Sequence, residues 1–148
     1  MGLGISAYRQ IKKLDEENDD CCRLTIIPEF AERADGLEEG VYSFTEAFNF
    51  QAGSYSGYNE WRNQLAQLAG WKDDNAAWQA TEGPFWELIN FADNEGTIGP
   101  KTAAKLAQDF SDFQAKADKH SDHYWREKYD TWRKALEMAS DNGAVSFH

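Results

Sequence analysis

Apolar residues in this chain follow two rules, alternating up to about residue 50 and recurring every three or four positions after it. Ile5, Ala7 and Ile11 fall on odd positions between Leu3 and Lys13, with Ser6 and Gln10 between them, an imperfect period of two that predicts a strand. Arg23-Leu24-Thr25-Ile26-Ile27 has the β-branched content of a second strand, stopped by Pro28. The acidic stretch Asp15 to Asp20 turns the chain between them, and Glu29 to Gly40 reads as a loop or short helix. In Val41-Tyr42-Ser43-Phe44 and Phe48-Asn49-Phe50 aromatic side chains alternate with polar ones, which predicts two more short strands packed on one face only.

From Gly57 the period lengthens. Tyr58, Trp61, Leu65 and Leu68 lie at helical spacing, with Gly70 as the stop. Residues 71–82 predict a loop containing a short helix. Gly83-Pro84 opens a segment whose apolar residues, Phe85, Trp86, Leu88, Ile89, Phe91 and Ala92, point to almost every side, so a centrally buried helix with Pro84 in its first position is expected. Asp93 to Pro100 reads as a tight connection. A helix with Ala103, Leu106, Ala107, Phe110 and Phe113 inside follows, then a last helix over residues 121–140 with Trp125, Tyr129, Trp132 and Leu136 inside. After Asn142-Gly143, residues 144–147 return to the sheet as an edge strand. The expectation is one α+β domain, residues 1–148, in which a small antiparallel sheet drawn mostly from the first fifty residues packs against four to five helices.

Composition sharpens that picture. Hydrophobic residues make up 41% of the 148 and aromatics 14%, so a mean hydropathy of −0.75 reflects many charges and not a missing core. The formal net charge of −11 repels phosphate backbones and anionic lipid, which argues against nucleic-acid or membrane binding and for a solvated acidic surface. No apolar run approaches a membrane span. Met1-Gly2-Leu3-Gly4-Ile5-Ser6 fits a loose N-myristoylation pattern that chance often satisfies. Cys21 and Cys22 are adjacent, where a bridge would be strained, so reduced thiols in a cytoplasmic protein are expected.

Candidate chemistry gathers at the change of period. Gly53 and Gly57 allow close backbone approach, Ser54 and Ser56 can cap, Tyr55 and Tyr58 offer rings and hydroxyls, and Arg62 can pair with an acid or phosphate, all at a helix start. Glu87, Asn90 and Asn94 share one stripe of the buried segment, and either tie it to neighbouring backbone or face a polar cavity. Asp93 and Glu95 supply an acidic turn. Ser54, Tyr55, Ser56, Tyr58, Arg62, Glu87, Asn90, Asp93 and Glu95 are therefore the candidate ligand-binding set. No metal or cofactor is expected: aligning Gly96 with the glycine of an EF-hand loop puts Phe91 and Thr102 where carboxylates are required. Residues 95–102 resemble the Asp-Gly-x-Phe-Gly-x-x-Thr signature of peptidoglycan-binding repeats, with Glu95 and Ile98 as departures and no second repeat half. Catalytic residues are not expected either. His120 and His123 sit among charges at a helix start, His148 is the final residue, and Gly53 to Gly57 imitates a nucleophile elbow with Tyr55 at its centre.

Five blocks in order resemble a group of small uncharacterised proteins from bacteria and their phages: Met-Gly-Leu-x-Ile-Ser, Ala52 to Arg62, Gly83 to Phe91, Glu95 to Pro100, and Asn142-Gly143-Ala144-Val145-x-Phe147-His148. The resemblance covers most of the chain, implies a stand-alone cytosolic domain and brings no catalytic or binding residue with it. Gly4 departs from the group, where Asp is commoner. The leading functional expectation is a non-enzymatic binding protein for a polar small molecule or a protein partner, built on the 53–62 loop and the 93–96 turn. The alternatives are an acidic phage-type inhibitor filling a basic groove of a host enzyme, and a small hydrolase with a carboxylate site.

Overall fold

The computed structural model describes residues 2–148 and has an α+β architecture. Its strands are β1 (Leu3–Arg9), β2 (Lys12–Lys13), β3 (Cys22–Leu24), β4 (Gly40–Ser43), β5 (Glu46–Gly53), β6 (Gly96–Ile98) and β7 (Ala144–Phe147). A 3₁₀ helix spans Pro28–Ala34, and the α-helices are α1 (Tyr55–Leu68), α2 (Asp74–Trp78), α3 (Trp86–Ile89), α4 (Pro100–Asp112), α5 (Gln114–Ala117) and α6 (His123–Ala139).

Two antiparallel sheets replace the single one expected, in the orders β5-β1-β7-β6 and β2-β4-β3. The predicted 3–13 strand divides because Gln10 adopts φ +52° and the N–H groups of Gln10 and Ile11 turn to the carbonyls of Asp141 and Asn142. Half of the larger sheet, β6 and β7, comes from beyond residue 95. Residues 144–147 are not an edge but an interior strand between β1 and β6, and the 93–100 connection contains β6. Alternation on β1 sends Leu3, Ile5 and Ala7 into the main core under the helices, while Tyr8 joins Ile11, Cys22, Leu24, Tyr42 and Ala144 in a second core against the small sheet. Burial there pushes the Cys22 thiol up to about 11.

Trp132, Tyr58 and Tyr129 are the largest wholly buried side chains, and aromatic contacts run through the main core. The Trp132 ring lies 5.7 Å from Tyr58, 5.9 Å from Trp61 and 5.2 Å from Phe50. Tyr129 packs 4.6 Å from Phe110 and donates its hydroxyl to the Phe110 carbonyl at 2.6 Å, joining α6 to α4. Gly143 makes the return from α6 to β7 possible. Its backbone lies so close to Tyr8 that an added Cβ would strike the Tyr8 carbonyl oxygen and come within 2.8 Å of its carbon.

Residues 84–92 do not form the expected helix. Only one turn, Trp86–Ile89, is helical: Phe85 has φ +60°, and Asn90 leaves helical geometry at ψ +65°. An all-round apolar segment is buried whatever backbone it takes, so periodicity alone leaves that backbone open.

Candidate functional site

A backbone this irregular leaves carbonyls without helical partners, and three cations from other elements take them. Arg62 donates from Nη1 to the carbonyls of Leu88, Ile89 and Phe91 at 3.2, 3.2 and 2.8 Å. Arg33 donates to the carbonyl and side-chain oxygen of Asn90, both at 2.8 Å, and stacks 4.1 Å over Trp86. Lys105 reaches the Gly83 carbonyl at 2.7 Å, Glu87 at 2.8 Å and Asp109 at 2.7 Å. Burial pulls its ammonium pKa down, but the two carboxylates outweigh burial and raise it, so Lys105 is charged where it stands.

The polar stripe is thus a backbone clamp. Glu87 is held by Lys105, and Asn90 donates onward to the Trp78 carbonyl at 3.0 Å. Asp93 accepts from Asn59 at 2.8 Å, and Asn59 in turn accepts from Arg62 Nη2 at 2.5 Å. The 53–62 and 93–96 segments therefore do meet, as the proposed working surface required, but through side chains that satisfy one another. Glu95 is exposed beside them.

Helix α1 parts the remaining candidates. Tyr58 is fully buried in the aromatic core and presents no face to a ligand. Arg62 and Asn59 border a cleft of about 310 Å³ with Asp74, Asn75, Trp78 and Ile89. Ser54 caps α1 by accepting from Gly57 N–H at 3.0 Å, and lines a different cleft, of about 260 Å³. Ser56 lies within 3.4 Å of the Ser54 hydroxyl, and Tyr55 is 41% exposed on the first turn. Tyr55, Arg62 and Glu87 do not share one cavity.

The 260 Å³ cleft lies between the first turns of α1 and α6, with Gly53, Ser54, Gly57, Glu60, Trp61 and Gln64 on one side and Asp122, Tyr124, Trp125 and Lys128 on the other. Two indoles hold it in shape. Trp61 Nε1 donates to the Trp125 carbonyl and Trp125 Nε1 to the Trp61 carbonyl, each at 3.3 Å, with the rings stacked 5.8 Å apart. Asp122 caps α6 through the N–H groups of Tyr124 and Trp125. Tyr124 is 63% exposed, which is unusual for so large an apolar ring. Sequence reasoning missed the α6 side because the helical period assigned Trp125 to the core and gave Tyr124 no role; the signal was an aromatic just outside the apolar stripe of a capped helix.

A second pairing also escaped the sequence. His148 Nε2 lies 2.8 Å from the Ser6 hydroxyl, and His148 exchanges main-chain hydrogen bonds with Gly4. Its ring covers position 4, where an added Cβ would come within 2.7 Å of Cε1. Glycine at position 4 leaves room for this ring. Ser6 is 5% exposed on an interior strand, and its contact with His148 is a latch across the sheet.

The Tyr58 hydroxyl is buried without a hydrogen-bond partner, and burial pushes its pKa up to about 12. Tyr58→Phe should therefore leave stability unchanged or raise it by up to about 1 kcal/mol, whereas Tyr129→Phe, which loses a real bond, should cost about 1 kcal/mol. Paired thermal melts decide this. Equal losses from both would mean that the Tyr58 hydroxyl is satisfied after all.

Among the described residues no three His, Cys, Asp or Glu side chains gather as a metal site requires, and no helix is long and apolar enough to cross a membrane. Comparison with protein-family models, curated proteins and solved structures finds no match to this chain.

Proposed function

We propose that this is a non-enzymatic binding protein which captures a polar small molecule or a partner's loop in the cleft between the first turns of α1 and α6. The observation that carries the reading is the reciprocal Trp61–Trp125 hydrogen bonding, which fixes an aromatic floor in advance of any ligand. Around that floor stand a small set of polar groups, Glu60, Gln64 and Lys128, and one exposed ring, Tyr124. Apolar walls with a few convergent polar groups are the common composition of a ligand site. Relative to the sequence expectation the working surface keeps Ser54 and its loop, loses Tyr58, Arg62 and Glu87 to structural roles, and gains the start of α6.

The test uses indole emission as its reporter, to which Trp61 and Trp125 contribute among six tryptophans. Titration with capped tyrosine amide, capped lysine amide and a simple hexose, followed by indole emission, should shift the signal for at least one probe. Tyr124→Ala should then weaken that probe about tenfold, equivalent to ~1.4 kcal/mol, without moving the thermal midpoint, because the ring contributes little to the core. Silence from every probe, or a Tyr124→Ala variant that binds normally, removes the cleft from consideration.

A further inference from the structure

We propose that the free edge of β5 is a self-association surface, on which a second copy of this chain lays its own β5 antiparallel and continues the four-stranded sheet across a two-fold axis at Asn49. This goes beyond the cleft reading and stands without it.

The direction of the edge peptides follows from the sheet. Gly4 exchanges both main-chain hydrogen bonds with His148, at 2.8 and 2.9 Å, so its N–H and C=O face away from β5. Gln51, its register partner on β5, accordingly sits at a non-hydrogen-bonded position and turns its own peptide groups off the sheet. Alternation extends this to Asn49 and Ala47, and all three residues are exposed. Lys128 Nζ takes the Gln51 carbonyl; the other edge groups of these residues have no protein partner among the described residues.

Such an edge needs protection, and β5 has little of it. Its eight residues, Glu-Ala-Phe-Asn-Phe-Gln-Ala-Gly, hold no proline or lysine, and one charge at the far end. The opposite edge is managed differently: β6 is three residues long, Thr97 donates to the Thr25 carbonyl, and Gly99 N–H donates to Arg33 of the 3₁₀ helix.

Register and charge both favour a second copy of this chain as the occupant. Outward positions on β5 are odd-numbered as far as Gln51, before the register shifts ahead of Gly53, so an antiparallel copy centred on Asn49 pairs Asn49 with itself and Ala47 with Gln51, both pairs formed by outward residues. In that register Glu46 of the second copy falls opposite Ala52, on the helix side of the sheet where Lys128 reaches Gln51. Glu46 is half-exposed and already bound to Arg9 at 2.8 Å through one oxygen, which leaves the other free. Symmetry supplies this opposite-charge contact twice. On a chain with net charge −11 it distinguishes this edge from the acidic surface around it. Ala52 and Lys128 also line the α1–α6 cleft, so the second copy would bring a carboxylate to its rim.

Sedimentation equilibrium over a wide range of protein concentration should show a mass rising from 16.9 kDa towards twice that value. Asn49→Pro removes one outward N–H and no bond to β1, so it should weaken the dimer at least about tenfold while circular dichroism is retained. Should that variant fail to fold, charge reversal decides: Lys128→Glu should weaken association, and adding Glu46→Lys should restore it. A chain that stays monomeric at every concentration, or a dimer indifferent to both Asn49→Pro and Lys128→Glu, overturns the proposal.

Discussion

Replacing Arg62 with methionine should lower the thermal midpoint by about 10–20 °C, the largest loss expected from any single polar side chain in this protein. The substitution keeps most of the volume and removes the donors. Three carbonyls, those of Leu88, Ile89 and Phe91, then lose their shared partner in a site where Arg62 itself is 6% exposed. Each buried acceptor left unpaired costs roughly 1–3 kcal/mol, so a total of about 4–5 kcal/mol is reasonable. The cost falls against a stability of order 5–15 kcal/mol for a whole domain. Arg62→Lys should recover only part, because a single ammonium cannot reproduce donation to three carbonyls from one nitrogen and to Asn59 from the other. Differential scanning calorimetry on the three proteins measures this directly. A methionine variant melting within about 2 °C of the parent would mean that water from the adjoining 310 Å³ cleft replaces the guanidinium, and that the clamp is dispensable.

Gly143→Ala should be at least as damaging, for a reason of space. The new methyl group meets backbone on both sides, the carbonyl of Tyr8 and, at 3.1 Å, the Cα of Ala139. Neither neighbour is a flexible side chain that can swing away, so β7 must leave its register opposite Tyr8 or α6 must end differently. Overpacking that side chains can absorb costs roughly 1–3 kcal/mol. With backbone on both flanks the expected loss is about 4 kcal/mol or more, visible as a collapsed midpoint or as failure to recover folded protein. Near-normal melting of the alanine variant would show that the β1–β7 contact yields more readily than its spacing suggests.

Much of this architecture could be read from the sequence, and the failures share a cause. Helices α1, α4 and α6 announce themselves because each buries one stripe and solvates the other, and Pro100, Ser54 and Asp122 mark where they start. Strand β5 is legible for the same reason with a period of two. Residues 84–92 predict a helix they do not form because burial on all sides erases periodicity, and what bends the segment, Arg33, Arg62 and Lys105, comes from other elements. Strand β6 has three residues, too few to show a period. The place of β7 inside the sheet is a matter of topology, which no local pattern encodes. The candidate site divides along the same line. Gly53 to Gly57 was recognisable as a special helix entrance, but α6, which supplies the other wall of its cleft, is brought there by packing alone.

The position of β7 has one more consequence, for the order in which the protein can be built. Its neighbours β1 and β6 touch each other nowhere in the sheet, so on the ribosome their facing edges stay bare until residues 144–147 have emerged. From the synthesis of residues 96–98 until residues 144–147 follow, the nascent chain carries two open β-edges, an interval in which it is exposed to mispairing and to chaperones.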